Sequence, residues 1–322
     1  MQQTTPPPNV SYGNPQPTTL QTGLLRYQTR FNDYASAHFP TSAPVIGQVF
    51  SAARYSFFNA GKRLRPALVY ACADSFGIDL KAVDAIAFAI ECIHTYSLIH
   101  DDLPSMDDDD MRRGKPACHT AFDEATAILA GDALNTFAFQ HLAQSQSPYA
   151  LNHIAVLGEH AGFHGMVGGQ DMDIFLSRQA QTPHTPLAVD SVDINLLSEL
   201  HRRKTGKLIQ ACLLLPYAHQ PHPDPNKTHA LNELGSALGL CYQIQDDILD
   251  VTQSAEMLGK PTHSDDDNNK VTYVSLLGLA GAQHAFDEQT KLVQTILRDL
   301  FGEIATNTPL GRIIGDILSR NR

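Results

Sequence analysis

Residues Asp84–Leu103 read DAIAFAIECIHTYSLIHDDL. Their apolar side chains recur at three- and four-residue steps instead of alternating, so the stretch predicts a helix and not a strand. It is apolar on most sides, which places it inside a large bundle. EATAILAGDALNTFAFQHLA (Glu124–Ala143) and ALNELGSALGLCYQIQDDILDV (Ala230–Val251) have the same texture. Breakers fall between such stretches: Pro40, Pro44, Pro148, Pro183–Pro186 and HQPHPDPNKT from His219. No strand series and no fixed-period repeat is present. The expectation is an all-α chain, a large helical bundle of about ten core helices forming one domain over residues 23–322. Residues 1–22, rich in Pro, Thr and Gln, predict a disordered tail. SRQAQTPHTPLAVDS (Ser177–Ser191) predicts a mobile surface loop.

Bulk composition narrows the class. The 322 residues carry a formal net charge of −11, which argues against nucleic acid as a partner. No apolar run predicts a transmembrane segment, and no basic-then-apolar leader opens the chain. Five cysteines (Cys72, Cys92, Cys118, Cys212 and Cys241) lack metal-site or disulfide spacing. They predict reduced, buried thiols and a cytoplasmic protein.

The opening helix runs into HDDLPSMDDDDMRRG (His100–Gly114), with six aspartates, Asp101, Asp102 and Asp107–Asp110, in ten residues. Like charges at contact repel by roughly 4 kcal/mol in a protein-like dielectric. Pro104 disfavours helix at Leu103, so the first pair ends a helix and the later aspartates follow a turn. A second cluster, QDDILD, holds Asp246, Asp247 and Asp250. At about 100° per residue all three share one helix side. Carboxylates on a mostly apolar helix are costly unless cations meet them. An all-oxygen donor set selects Mg²⁺, Mn²⁺ or Ca²⁺ over zinc, and Mg²⁺ joins one or two carboxylates to substrate phosphates. The first cluster taken alone also fits a solvated acidic loop.

Cations flank both clusters: Lys62, Arg63 and Arg65 after Gly61, Arg112 and Arg113, then Lys204, Thr205 and Lys207, then Lys260 and Lys270. His94 lies about 20° from the face of Asp101; it fits either a shared cavity or the core. His160 and His164 share a face but have no third ligand in reach, so they do not predict a metal site.

GKRLRP, HTYSLIHDDLPSMDDDDMRRGKP, GGQDMD, KTGKL and YQIQDDILD together resemble the short-chain trans-prenyltransferases, the bacterial farnesyl diphosphate synthases in particular. The resemblance covers about Gly23 to Arg322. It implies a homodimer, a deep central cavity and three Mg²⁺ ions, with Mn²⁺ as the alternative. It implies that Asp101 and Asp107, with Asp102 and Asp108 as neighbours, hold two ions and Asp246 a third, with Asp247 and Asp250 in support. Arg112, Lys204 and Lys260 would then meet the allylic diphosphate (dimethylallyl or geranyl), with Thr205 and Gln243 lining the site. Lys62, Arg65, His94 and Arg113 would bind isopentenyl diphosphate. Tyr96 and Ser97 would set chain length at C15, although helical spacing turns Tyr96 about 140° from Asp101 and fits a core aromatic as well. The geranyl and geranylgeranyl diphosphate synthases are the alternatives within the family. The stretch after Lys260 departs from the family pattern at His263, Asn269, Val271 and Val274. Arg320 or Arg322 would help close the site. Two rivals share the fold: a class I terpene cyclase and a non-catalytic partner subunit. The nearest cyclase-like string, NDYASAHFP from Asn32, has Pro40 where glutamate is required.

Overall fold

The computed structural model describes residues 19–40, 47–59, 61–181, 192–252 and 271–320. The described chain is helical apart from one short hairpin and connecting turns, with a π-turn at Arg202–Gly206 and a 3-10 helix at Gly302–Asn307 among the α-helices. Its helices are α1 (Thr19–His38), α2 (Val49–Phe57), α3 (Leu64–Ser75), α4 (Leu80–Asp101), α5 (Cys118–Ala121), α6 (Glu124–Gln144), α7 (Ala150–Ala161), α8 (Met166–Gln181), α9 (Ile194–His201), α10 (Lys207–Tyr217), α11 (Pro225–Thr252), α12 (Tyr273–Phe301) and α13 (Pro309–Leu318). The hairpin pairs β1 (Met111–Arg112) with β2 (Lys115–Pro116).

Local signals set the helix boundaries. Asp79, Asp123 and Asp193 cap α4, α6 and α9 by accepting from backbone N–H groups of the first turn. Thr272 and Ser275 form a reciprocal capping box at the start of α12. α13 begins with Pro309, whose missing N–H has no partner to lose there.

The quoted stretch is the centre of the bundle. α4 packs on α1, α2, α3, α6, α7 and α10, and Phe88, Ile90, Cys92 and Ile93 along it are fully buried. Phe39, Phe57 and Phe88 meet at centroid distances of 5.0–6.5 Å. Each such ring contributes about 1.5–3 kcal/mol by leaving water. α1 is fastened to this core by Arg30, which grips Asp84 through two hydrogen bonds of 2.8 and 2.6 Å. The Tyr70 hydroxyl donates to the same carboxylate at 2.7 Å.

Three expectations need adjustment. α4 is long and apolar enough to cross a bilayer, contrary to the reading that no stretch is, but 78% of its most apolar window is buried inside the protein. It is covered by other helices, not left for lipid. α8 continues to Gln181, past the expected start of the loop at Ser177, and residues 182–191 lie outside the described residues. The expected tail lies outside the described residues up to residue 18, and α1 starts at Thr19.

Burial pushes three interior histidines, His141, His153 and His201, down to about 4. In the unfolded chain they titrate at about 6.5. Between those values the unfolded state binds more protons than the folded one, so stability is lost as pH falls through that window. Asp101, which burial pushes up to about 6, opposes this, as do Asp102 and Asp316, also raised by burial, whereas His94, His160 and His219, lowered by burial, act with the three histidines. Thermal unfolding followed by circular dichroism should give a Tm that is level above pH 7 and declines from about pH 6.5 to about pH 4. A Tm that rises on acidification would contradict this.

Candidate active site

The first acidic cluster is shaped by backbone hydrogen bonds. α4 ends at Asp101, three residues before Pro104. The chain then folds back: the Met106 N–H donates to the Leu103 carbonyl at 2.8 Å, and the Asp107 N–H donates to the Asp101 carbonyl at 2.9 Å. Two aspartates six residues apart are thereby brought together. Burial pushes the Asp101 carboxyl up to about 6; Lys204 opposes the shift and Asp107 adds to it. Asp102, the neighbour of Asp101, is 2% exposed and turns the other way, onto the Arg112 guanidinium. Arg112 also reaches Asp109 at 3.0 Å. Asp102 is thus the seat of Arg112, a use its position in the motif did not indicate. Asp108 is exposed, with a φ of 55°.

The cations separate into two groups. Arg113 and Gly114 form the two-residue loop of the hairpin, both with positive φ (54° and 75°), as tight hairpins of primed type require. This conformation sets the Arg113 guanidinium against Gly61, where a Cβ would stand 2.5 Å from Nη1. Arg65 Nη1 donates to His94 Nε2 at 3.1 Å. Burial, then Arg65, Arg113, Arg63 and Arg112, hold His94 well below its ordinary value. His94 is therefore neutral, with its proton on Nδ1. Lys62 is exposed nearby in sequence. Arg63 points away: it is buried, paired to Glu91 at 2.6 Å, and donates to the Phe57 carbonyl at 2.7 Å. Tyr96 is buried among core residues with its ring edge-on to His100 at 5.8 Å, and Ser97 bonds the His94 carbonyl at 2.9 Å.

Lys204 and Thr205 lie on a widened π-turn, Arg202–Gly206, between α9 and α10. Such turns re-aim side chains at functional sites. Lys204 Nζ contacts Asp173 Oδ2 of α8 at 2.5 Å. Burial works against its charge, but Asp173, Asp101 and Asp107 more than offset this and lift the ammonium above the ordinary lysine value. Gly169 lets α8 pack closely on the π-turn, because a Cβ there would fall 2.2 Å from the backbone nitrogen of Lys204. The Thr205 hydroxyl donates to Gln243 Oε1 at 2.9 Å. Gln243 stands one turn before Asp246 on α11. The π-turn therefore connects the two acidic clusters.

On α11, Asp247 Oδ2 accepts the Tyr273 N–H at 2.7 Å and so holds the start of α12. Asp250 is 3% exposed. Asp246 is paired with Arg320 from beyond α13. Lys260, Lys270 and Arg322 lie outside the described residues.

Sequence reasoning quoted GGQDMD without assigning its side chains. Asp173 is the partner of Lys204, and Gln170, one turn earlier, buries both amide atoms without a protein partner. The i, i+3 spacing of two polar residues after paired glycines was the available signal. Among the described residues no three Asp, Glu, His or Cys side chains form a ready-made cage. Oxygen donors set apart on α4, the turn after it and α11 fit Mg²⁺, which takes part of its coordination from phosphate.

Comparison with known proteins shows the family and the fold. A sequence model of the Polyprenyl synthetase family matches residues 47–307. The farnesyl diphosphate synthase of Haemophilus influenzae is 40% identical over 281 residues, covering 86% of this chain and 90% of that protein. A geranyltransferase from Legionella pneumophila superimposes with a TM-score of 0.78 at 34% identity, covering 94% of this chain and 99% of that one. A Helicobacter pylori geranyltransferase complexed with magnesium and isoprenyl diphosphate gives 0.77 at 32% identity, covering 95% and 98%. The chain belongs to the polyprenyl synthetase family.

Proposed function

We propose that the protein condenses isopentenyl diphosphate with dimethylallyl and geranyl diphosphate, giving (2E,6E)-farnesyl diphosphate and free diphosphate. The observation that carries this is the position of Lys204, held charged by Asp173, Asp101 and Asp107 while adjacent Thr205 is tied to Gln243 beside the second cluster.

Asp101 and Asp107 would hold two Mg²⁺ ions and Asp246 a third. Bound there, the metal supplies positive charge to the departing diphosphate. Lys204, Arg112 and Lys260 stabilise the charge that grows on that group as the allylic C–O bond breaks. Thr205 and Gln243 line the space where the allylic cation forms. Lys62, Arg65, Arg113 and neutral His94 hold isopentenyl diphosphate, His94 donating from Nδ1. The double bond of that substrate attacks the cation, and the proton then lost passes to the released diphosphate. No side-chain nucleophile is needed.

Growth of the chain ends at Tyr96, with Ser97 beside it, one to two turns below Asp101. Tyr96→Ala should extend products beyond C15, read by chromatography of the dephosphorylated alcohols. An unchanged spectrum would place the floor elsewhere. The five free, buried thiols fit a cytoplasmic enzyme. A homodimer would cover the exposed Ile128 and Leu129 of α6 and Leu151 of α7.

The deciding assay mixes the protein with Mg²⁺, geranyl diphosphate and isopentenyl diphosphate. A C15 diphosphate with released diphosphate is the expected result. A hydrocarbon product would indicate a cyclase, a C20 product a geranylgeranyl diphosphate synthase, and inertness a partner subunit.

A further inference from the structure

We propose that Arg320 is a built-in counter-cation, seated on Asp246 when no divalent ion is bound, and that it must leave before that carboxylate can take one. The inference rests on the functional reading above and adds a gate to the second acidic cluster.

The seat is specific. Arg320 Nη2 pairs with Asp246 Oδ1 and donates to the Tyr242 carbonyl at 3.1 Å. Arg320 Nε donates to Gln245 Oε1 at 2.9 Å. The guanidinium lies over the Tyr242 ring, 3.6 Å from its centroid. Gln245 Nε2 donates in return to the carbonyls of Arg320 at 2.6 Å and Leu318 at 3.3 Å. The end of the chain is thus laced to residues 242–246 of α11. The Arg320 side chain is 11% exposed, unlike a solvated terminal arginine, whereas Asp246 is 43% exposed. A carboxylate with a guanidinium on one oxygen cannot give its full charge to a metal. Entry of the ion and release of the arginine are therefore linked, and release frees the hydrogen bonds holding the last residues.

Removing the competitor should strengthen metal binding. Calorimetric titration with Mg²⁺ in the presence of inorganic diphosphate should give an affinity about fivefold higher for Arg320→Ala than for the parent, as expected for loss of a partly exposed ion pair. Arg320→Gln should behave like Arg320→Ala, and Arg320→Lys like the parent. Circular dichroism verifies folding of each variant. A nitroxide attached at Ser319→Cys should become more mobile when Mg²⁺ and diphosphate are added. Equal or weaker binding by Arg320→Ala, or a label whose spectrum ignores the metal, would overturn the gate alone. Failure of the parent to bind Mg²⁺ with diphosphate would overturn the functional reading and the gate with it.

Discussion

Asp101→Ala should lower kcat by at least about 10³-fold, the equivalent of roughly 4 kcal/mol of lost charge stabilisation in the transition state. Asp101 sits at the end of α4, where alanine is at least as good a helix former. Its carboxyl is pushed up to about 6, mainly by burial, so the ionised group is held in an unfavourable place for the sake of its function. The variant should therefore keep its helical spectrum, and its metal-free Tm should not fall. Activity and stability move apart, as expected where a site is tuned for chemistry and not for folding. Steady-state kinetics with geranyl and isopentenyl diphosphate, together with thermal unfolding, give both readings. A kcat within tenfold of the parent would refute the role of Asp101, and a collapse in Tm would assign it to the fold.

Glu91→Ala should have the opposite profile. Glu91 is 2% exposed and its partner Arg63 is 8% exposed. Removing the carboxylate leaves a buried guanidinium with only the Phe57 carbonyl and the faces of Phe31 and Phe57 about 5.4–5.5 Å away. Breaking such a pair from one side costs about 3–5 kcal/mol. For a domain of this size the Tm should fall by roughly 10 °C. Arg63 caps α3 with a left-handed φ of 49°, and Lys62 and Arg65 flank it. Loss of its anchor should also raise KM for isopentenyl diphosphate more than it lowers kcat. The double variant Glu91→Met, Arg63→Met should recover much of the lost stability, because no charge is left unpaired. A Tm change under 2 °C for Glu91→Ala would show that the pair is dispensable.

Sequence periodicity and residue chemistry identified the all-α class, three long helical stretches and the two acidic clusters, because these are local properties. They did not separate residues of identical type. Asp101 and Asp102 are adjacent, yet successive helical residues point about 100° apart, and only the folded chain shows Arg112 meeting Asp102. Arg63 and Arg65 likewise divide into a core residue and a His94 partner. Asp173 and Arg320 were missed as partners because their meetings are tertiary. Asp173 meets Lys204 from 31 residues away, and Arg320 meets Asp246 from 74. The hairpin at Met111–Pro116 is too short for an alternating pattern, and its strained arginine gives no local signal. The α4 core helix shows the reverse difficulty: composition alone does not distinguish burial in protein from burial in lipid.

The central claim is that two acidic clusters joined through Lys204 and Thr205 bind a diphosphate only together with divalent ions. Calorimetric titration of geranyl diphosphate into the protein, with and without Mg²⁺ and without isopentenyl diphosphate, tests it directly. Tight binding should appear only with the metal and vanish in Asp101→Asn, Asp246→Asn. Equal affinity after complete removal of divalent ions would contradict the account.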